Sequence, residues 1–368
     1  MSNPVDVKWF TSGMSGAPVL SGQVGALIAV LDACLINGFG SITLTSLTVS
    51  SGVATAVKAG HGFLDHAVTL IAGATPTGLN GEKRITRVDA NTFTFDATGI
   101  SDQTATGTIT AQMAPVGWTK QYSGTNKAVY QRTALVATAM VLRIDDTPTT
   151  YANIKAYESM SDVDTGIAAY PSSAIYQCKS NAASSAARPW TLFSDGQILY
   201  FFAATGANQW WDPLIFGDIN SYKSPDAYHC LVYANAQSGY GFDIFYKIHD
   251  TAATRYIARS YAQMGGSVGC TLRTQGSNVA SPGLGGVGNP YPNEADNSFH
   301  AWPIELWEGT TRSRGLMPGM WNPIHAATSL SQGLIIDSVP ALAGHRLFVQ
   351  MLDNSTFCCA IDMTGPWR

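Results

Sequence analysis

Asp145, Asp146, Glu158, Asp162 and Asp164 form the one acidic cluster that invites a test for acid–base chemistry. Cleaving a glycosidic bond needs two facing carboxyl groups roughly 5–9.5 Å apart, one of them holding a proton. No helical or strand period here brings a pair to that spacing. Asp164, Thr165 and Gly166 have the letters of an aspartic-protease loop, whose chemistry needs a second carboxylate to share the proton. Related letters recur at Asp96, Thr98 and Gly99 and at Asp362, Thr364 and Gly365, which marks them as turn residues. Asp162, Asp164 and Gly166 also open a calcium-type loop, but Ser173 stands where the closing acidic ligand belongs. Gly283, Gly285 and Gly288 reproduce the spacing of a dinucleotide turn. That turn must lead into a helix, and Pro290 and Pro292 forbid one.

The seven histidines (61, 66, 229, 249, 300, 325 and 345) are scattered, without the paired spacing of a zinc site. His249 and Asp250 lack the Gly-x-Ser-x-Gly elbow that would anchor a hydrolase triad. The expectation is no catalytic residue, no cofactor and no metal. Aromatic residues offer a different chemistry. Trp210, Trp211, Tyr240, Trp302 and Trp307 can stack sugar rings or fill a groove on a partner. Asn208, Asp212 and Arg312 are their polar neighbours in sequence.

The elements that would hold these residues are mostly strands. Residues 1–20 read as an extended arm, because Pro4, Pro18 and a run of small residues prevent a helix. Apolar residues at Val24, Leu27, Ile28, Leu31, Cys34 and Leu35 predict a helix over 21–37, capped by Ser21 and stopped by Asn37 and Gly38. Runs at 42–49, 67–71, 84–88, 92–95 and 108–111, separated by Gly, Asn and Asp, predict a small β-sandwich or barrel inserted over 41–113. Further strand candidates fill 114–368, interrupted by an aperiodic Gly/Pro/Asn loop over 276–303. The fold expected is mainly β: arm and helix over 1–40, the inserted domain, and a larger C-terminal β-rich domain.

Only 12% of the residues are charged, with 21 basic against 25 acidic and a net charge of −4. That builds no field for nucleic acid. It suits a surface covered by neighbours, where interface cores exclude charge and favour aromatics and Met. The six cysteines include no C-x-x-C pair and read as free buried thiols. The apolar run over 25–36 contains Asp32 and is too short to span a bilayer, and the first residues have no charged-then-apolar leader, so synthesis in the cytoplasm without export is expected.

Residues 7–21, 31–40, 54–111, 142–147, 158–166 and 361–368 together resemble virion structural proteins of tailed bacteriophages. Within the insert, residues 71–76 and 79–84 look like the β-sandwich modules of phage tail and decoration proteins. The resemblance implies a non-enzymatic particle component that self-associates and docks to other virion proteins, in the tail or baseplate ahead of a capsid-decoration role. It carries over no catalytic residue. On this reading Trp9, Phe10, Leu27, Ile28 and Leu31 are inter-subunit anchors. Trp210, Trp211, Trp302 and Trp307 are contacts for a partner or, in the alternative of a receptor-binding module, for a host surface glycan.

Overall fold

Short runs of Val, Ile, Thr, Phe and Tyr broken by Gly, Asn and Asp favour strands and tight turns. The chain is accordingly mainly β, 48% strand against 6% helical, with one α-helix among the described residues. The computed structural model describes residues 5–206, 211–235, 254–274, 289–309, 312–337, 339–352 and 357–368.

The largest sheet has thirteen strands, all pairs antiparallel. It starts at the arm strand Lys8–Thr11 and continues through Trp190–Ser194, Ile198–Ala204, Trp211–Asp218 and Cys230–Tyr233. Arg255–Ile257, Val268–Thr274, Ala301–Glu308 and Arg312–Pro323 follow, then Cys358–Asp362, Leu347–Met351 and Ile335–Ile336; the thirteenth, Asn220–Ser221, lies off this path and pairs with Arg312–Pro323. The sheet curls until its first strands lie over its last. Phe348 meets Trp9 at 5.9 Å and Phe193 at 5.1 Å between ring centroids. Beside them Thr191 Oγ1 donates to Gln350 Oε1 at 2.6 Å. Strand Ile198–Ala204 is buried at every position. An unbroken apolar run is what a strand covered on both faces requires.

Strands between residues 39 and 113 pair only with one another, in one four-stranded and one five-stranded sheet. Ser46–Ser50 and Thr92–Asp96 alternate buried and open positions, as strands with one face in a sandwich core do. The run expected as one strand over 42–49 is two, Phe39–Thr43 and Ser46–Ser50, one in each sheet. The chain crosses between sheets at Leu44 and Thr45, whose amides donate to Ile109 and Val57 carbonyls. Downstream, Thr119–Gly124, Lys127–Gln131, Val141–Asp145, Tyr151–Met160 and Gly166–Cys178 form a five-stranded antiparallel meander. Trp118, just before it, meets Phe216 of the large sheet edge-on at 6.0 Å.

The helix is shorter than its apolar period predicts. It spans Ala26–Asp32 and continues as a π-helical turn over Ala33–Asn37. Ser21 is not its cap. Gly25 holds that position at φ 77° without a side-chain bond, and the Asp146 carboxylate accepts from the amides of Leu27 (2.8 Å) and Ile28 (3.2 Å). A tertiary carboxylate thus does the work expected of a local hydroxyl. Gly38, at φ 73°, ends the element where the sequence places the stop.

The expected anchors pack largely within this chain. Trp9, Phe10, Leu27 and Leu31 are buried in this chain's own core, and Ile28 packs partly buried against it. The arm is held because its backbone completes the large sheet, so its apolar side chains face inward.

Candidate functional site

Each carboxylate of the acidic cluster has a structural partner. Asp146 and Lys179 form a fully buried ion pair, and Lys179 Nζ also donates to the carbonyls of Gln23 (2.8 Å) and Pro148 (3.0 Å). Burial pushes the Asp146 carboxyl up and the Lys179 ammonium down, each opposed by the other's charge. Asp164 accepts from Lys127 and Arg143, and these bonds hold it below the usual range. Asp162 accepts from the amides of Asp164 and Thr165, and Asp145 from the amide and hydroxyl of Thr147. The recurring Asp-x-Thr letters are turn devices, at Asp96 and Asp362 as well.

Glu158 lines a cleft, a space of about 440 Å³ bounded by residues 136–140, Asp226, Tyr228 and His229. Its carboxylate is gripped at both oxygens by Arg259 (2.5 and 2.7 Å), whose guanidinium lies 4.3 Å from the Tyr228 ring centroid. Asp226 is gripped the same way by Arg314 (2.9 and 2.8 Å) and accepts from Ser221 Oγ at 2.6 Å. Arg314 also pairs with Glu308. Burial would raise Asp226, but Ser221, the Tyr228 amide, Arg314 and His229 overcome it and hold the carboxyl low. The cleft's Asp226 is therefore not the proton-bearing carboxyl a glycosidase needs.

Behind the cleft lies a second buried pair, Arg132 with Asp218 at 2.6 Å. Asp218 accepts from the Thr138 amide and hydroxyl, each at 2.7 Å, and Arg132 donates to the Thr138 carbonyl at 2.8 Å. Burial alone would raise Asp218; Arg132, His229 and Thr138 hold it below its ordinary value. The loop from Thr133 to Ala139 is thus fastened at its base and turned by Ala137 N–H donating to the Ala134 carbonyl. Its tip, Leu135 and Val136, stands open to solvent at 102% and 75% exposure. The arrangement presents an apolar tip on a neutralised ionic base.

Each described histidine ring has a polar neighbour. His61 Nδ1 accepts from the Phe63 amide (3.0 Å), and its Nε2 lies 3.1 Å from the Asp89 carbonyl. His325 Nε2 accepts from the His300 amide (2.8 Å), which leaves Nδ1 to donate to the Pro290 carbonyl (3.0 Å). His300 meets Asp296 and Ser298 through one ring nitrogen, and His345 meets Asp362 at 2.7 Å. His66 Nε2 lies 3.3 Å from Asp65, and His229 Nδ1 contacts the Asp226 carbonyl. His249, Asp250 and the Gly283–Gly288 turn fall outside the described residues. Among the described residues no group of three or more His, Cys, Asp or Glu is placed to hold a metal ion. All six cysteines are buried free thiols.

Among the described residues the aromatic candidates stand on two separate strands. Three strands separate Trp211 from the strand bearing Trp302 and Trp307. Trp307 donates to Glu305 at 2.7 Å and has the Arg273 guanidinium 4.3 Å from its centroid, so one ring face is taken. Trp302 is 36% exposed; Trp210, Tyr240 and Asn208 fall outside the described residues. Sequence reasoning missed the Leu135–Val136 tip. Its trace was an apolar pair among Thr and Ala that belongs to no helical or strand period.

No family model and no curated protein matches the chain. No helix among the described residues is long and apolar enough to cross a membrane.

Proposed function

We propose that this chain is a non-enzymatic structural component of a tailed-phage virion, in the tail or baseplate, that self-associates symmetrically and docks to neighbouring particle proteins. The observation that carries the reading is a contrast. The charges found in the cleft and behind it are neutralised by partners inside the chain, while Leu135, Val136 and Ile167 (70% exposed) project into solvent. Isolated exposed aliphatics are ordinary, but a fastened loop that holds two of them outward gives a neighbour a fixed apolar contact. The sparse charge and the resemblance over residues 7–21, 54–111 and 361–368 support the same reading. Assembly would proceed by burying such side chains in interfaces of about 1,600 Å² or more.

The test is size. Light scattering coupled to size exclusion, over a wide concentration range, is expected to find a discrete oligomer that Leu135→Asp weakens. A compact monomer at every concentration overturns the proposal.

A further inference from the structure

The two ends of the thirteen-stranded sheet come together at one groove. Its volume is about 350 Å³, and it is lined by Trp9, Thr11, Leu64, Arg87, Ile335 and Phe348, with Asp65 and Gly333 beside them. Trp9 and Phe348 make its apolar floor. Ile335–Ile336 is the terminal strand of the sheet, and no further strand pairs with it among the described residues. Val349 N–H donates to the Leu334 carbonyl, and the register pairs Ile335 with Phe348 and Ile336 with Leu347. Antiparallel bonds alternate along a strand, so the main-chain N–H and C=O of Ile335 turn away from Phe348 toward the free edge. Ile335 is 39% exposed.

The groove also carries a charge. Asp65 accepts from the amides of His66 (3.0 Å) and Arg87 (2.9 Å) and lies 3.3 Å from His66 Nε2. The exposed Arg87 guanidinium has no ion-pair partner within 4.0 Å among the described residues.

We infer that this groove is a docking site for an extended strand of another protein. That strand adds to the Ile335 edge, places an aliphatic side chain over Trp9 and Phe348, and sets a carboxylate against Arg87. A free sheet edge recognises backbone, while pockets beside it read alternate side chains. The inference rests on the assembly reading for the identity of its partner, but it uses a surface separate from the Leu135 tip.

The probe is a short fluorescent peptide of alternating threonine and isoleucine with one central glutamate. Two companions carry lysine in place of the glutamate, or N-methyl groups on alternate backbone amides. Fluorescence anisotropy with the full chain is expected to show saturable binding of the glutamate peptide. N-methylation and Arg87→Glu should each weaken it about tenfold, and Arg87→Glu should then prefer the lysine peptide. Arg87 is exposed, so circular dichroism of the variant should match the parent. Absence of saturable binding, indifference to N-methylation, or an unchanged charge preference in Arg87→Glu overturns the inference. So does an oligomer that Arg87→Glu dissolves and the peptide fails to compete, since the occupant is then a second copy. Peptide binding by a strict monomer would sink the assembly reading alone; an oligomer that ignores the peptide would sink the groove alone.

Discussion

Arg84 ties together three parts of the chain that are far apart in sequence, and replacing it with methionine should be among the most damaging single changes. Its side chain is buried, and its two terminal nitrogens donate to four backbone carbonyls. They belong to Val7 (2.7 Å) on the arm, His66 (2.7 Å) in the inserted sandwich, and Met363 (3.0 Å) and Thr364 (3.2 Å) near the C-terminus. Burial pushes the guanidinium down to about 10, opposed by the charges of Asp362 and Asp6. A displacement of that size corresponds to about 3 kcal/mol of solvation given up to keep the cation inside. Methionine fills similar space but takes a donor from four carbonyls, of which that of His66 keeps Trp9 Nε1 at 3.3 Å, at roughly 1–2 kcal/mol for each bond lost after partial relaxation. Relief of the buried charge offsets about 3 kcal/mol of that total. The net expectation is a loss of roughly 1–5 kcal/mol, with Arg84→Lys intermediate because an ammonium reaches fewer of the carbonyls. Urea unfolding followed by tryptophan fluorescence measures it, and limited proteolysis should find the arm and C-terminus cut first. If Arg84→Met unfolds within about 0.5 kcal/mol of the parent, the size of an ordinary surface change, the stitching role is refuted.

Other perturbations follow from the same interior. Asp218→Asn strands Arg132 without its counter-charge and should cost about 3–5 kcal/mol, whereas the joint change Arg132→Met with Asp218→Leu should be near neutral; thermal unfolding separates the two cases. Asp218 and Asp226 titrate low in the folded chain, so the stability they contribute is present above the unfolded carboxylate value and lost as pH falls through the folded ones. Unfolding should therefore become easier below about pH 4. Asp146, which burial raises, works in the opposite sense, and a pH series on Asp218→Asn should show a flatter acid limb than the parent. Gly319 sits at φ 64° with the Trp367 ring 2.3 Å from where a Cβ would stand, so Gly319→Ala should destabilise by more than about 1 kcal/mol, read by denaturant titration.

The fold class was legible because its signals are local. Strand-forming runs and their Gly, Asn and Asp turns need only a few neighbours to be read, and so did the Asp-x-Thr turns at Asp96 and Asp362. What escaped depends on partners distant in sequence. Nothing near Ala26 announces that its helix is capped by Asp146, and nothing near Lys8 announces that the arm completes a sheet at Trp190. Trp9 and Phe10 read as interface residues because an extended arm offers no local place to bury them; the curl of the large sheet supplies one. The partners of the acidic cluster escaped for a related reason. Glu158 and Asp164 look concentrated in sequence, yet their countercharges come from parts of the chain that the fold alone brings near: Arg259 after the strand Arg255–Ile257, and Lys127 and Arg143 on meander strands.

A chain with so few charges buries several of them completely. Arg132 with Asp218 and Lys179 with Asp146 are sealed from solvent, and Arg314 with Asp226 nearly so. Apolar residues of equal volume would hold these positions at least as firmly, so stability alone does not account for the pairs. Their placement offers a reason. Arg132 leaves the end of a meander strand and Asp218 ends a strand of the large sheet; Glu158 and Arg259 repeat that crossing. Apolar faces of two twisted sheets can slide over one another at small cost, whereas a buried guanidinium and carboxylate lose their bonds on a small displacement. The Arg132–Asp218 pair therefore fixes how the meander sits on the large sheet, and with it the direction in which Leu135 and Val136 project. Under the proposed assembly role, where each copy must present the same contact, a fixed direction matters more than an extra increment of stability. The joint apolar replacement of Arg132 and Asp218 should then fold as firmly as the parent yet assemble into mixed sizes, a result that electron microscopy of the purified variant would separate from uniform particles.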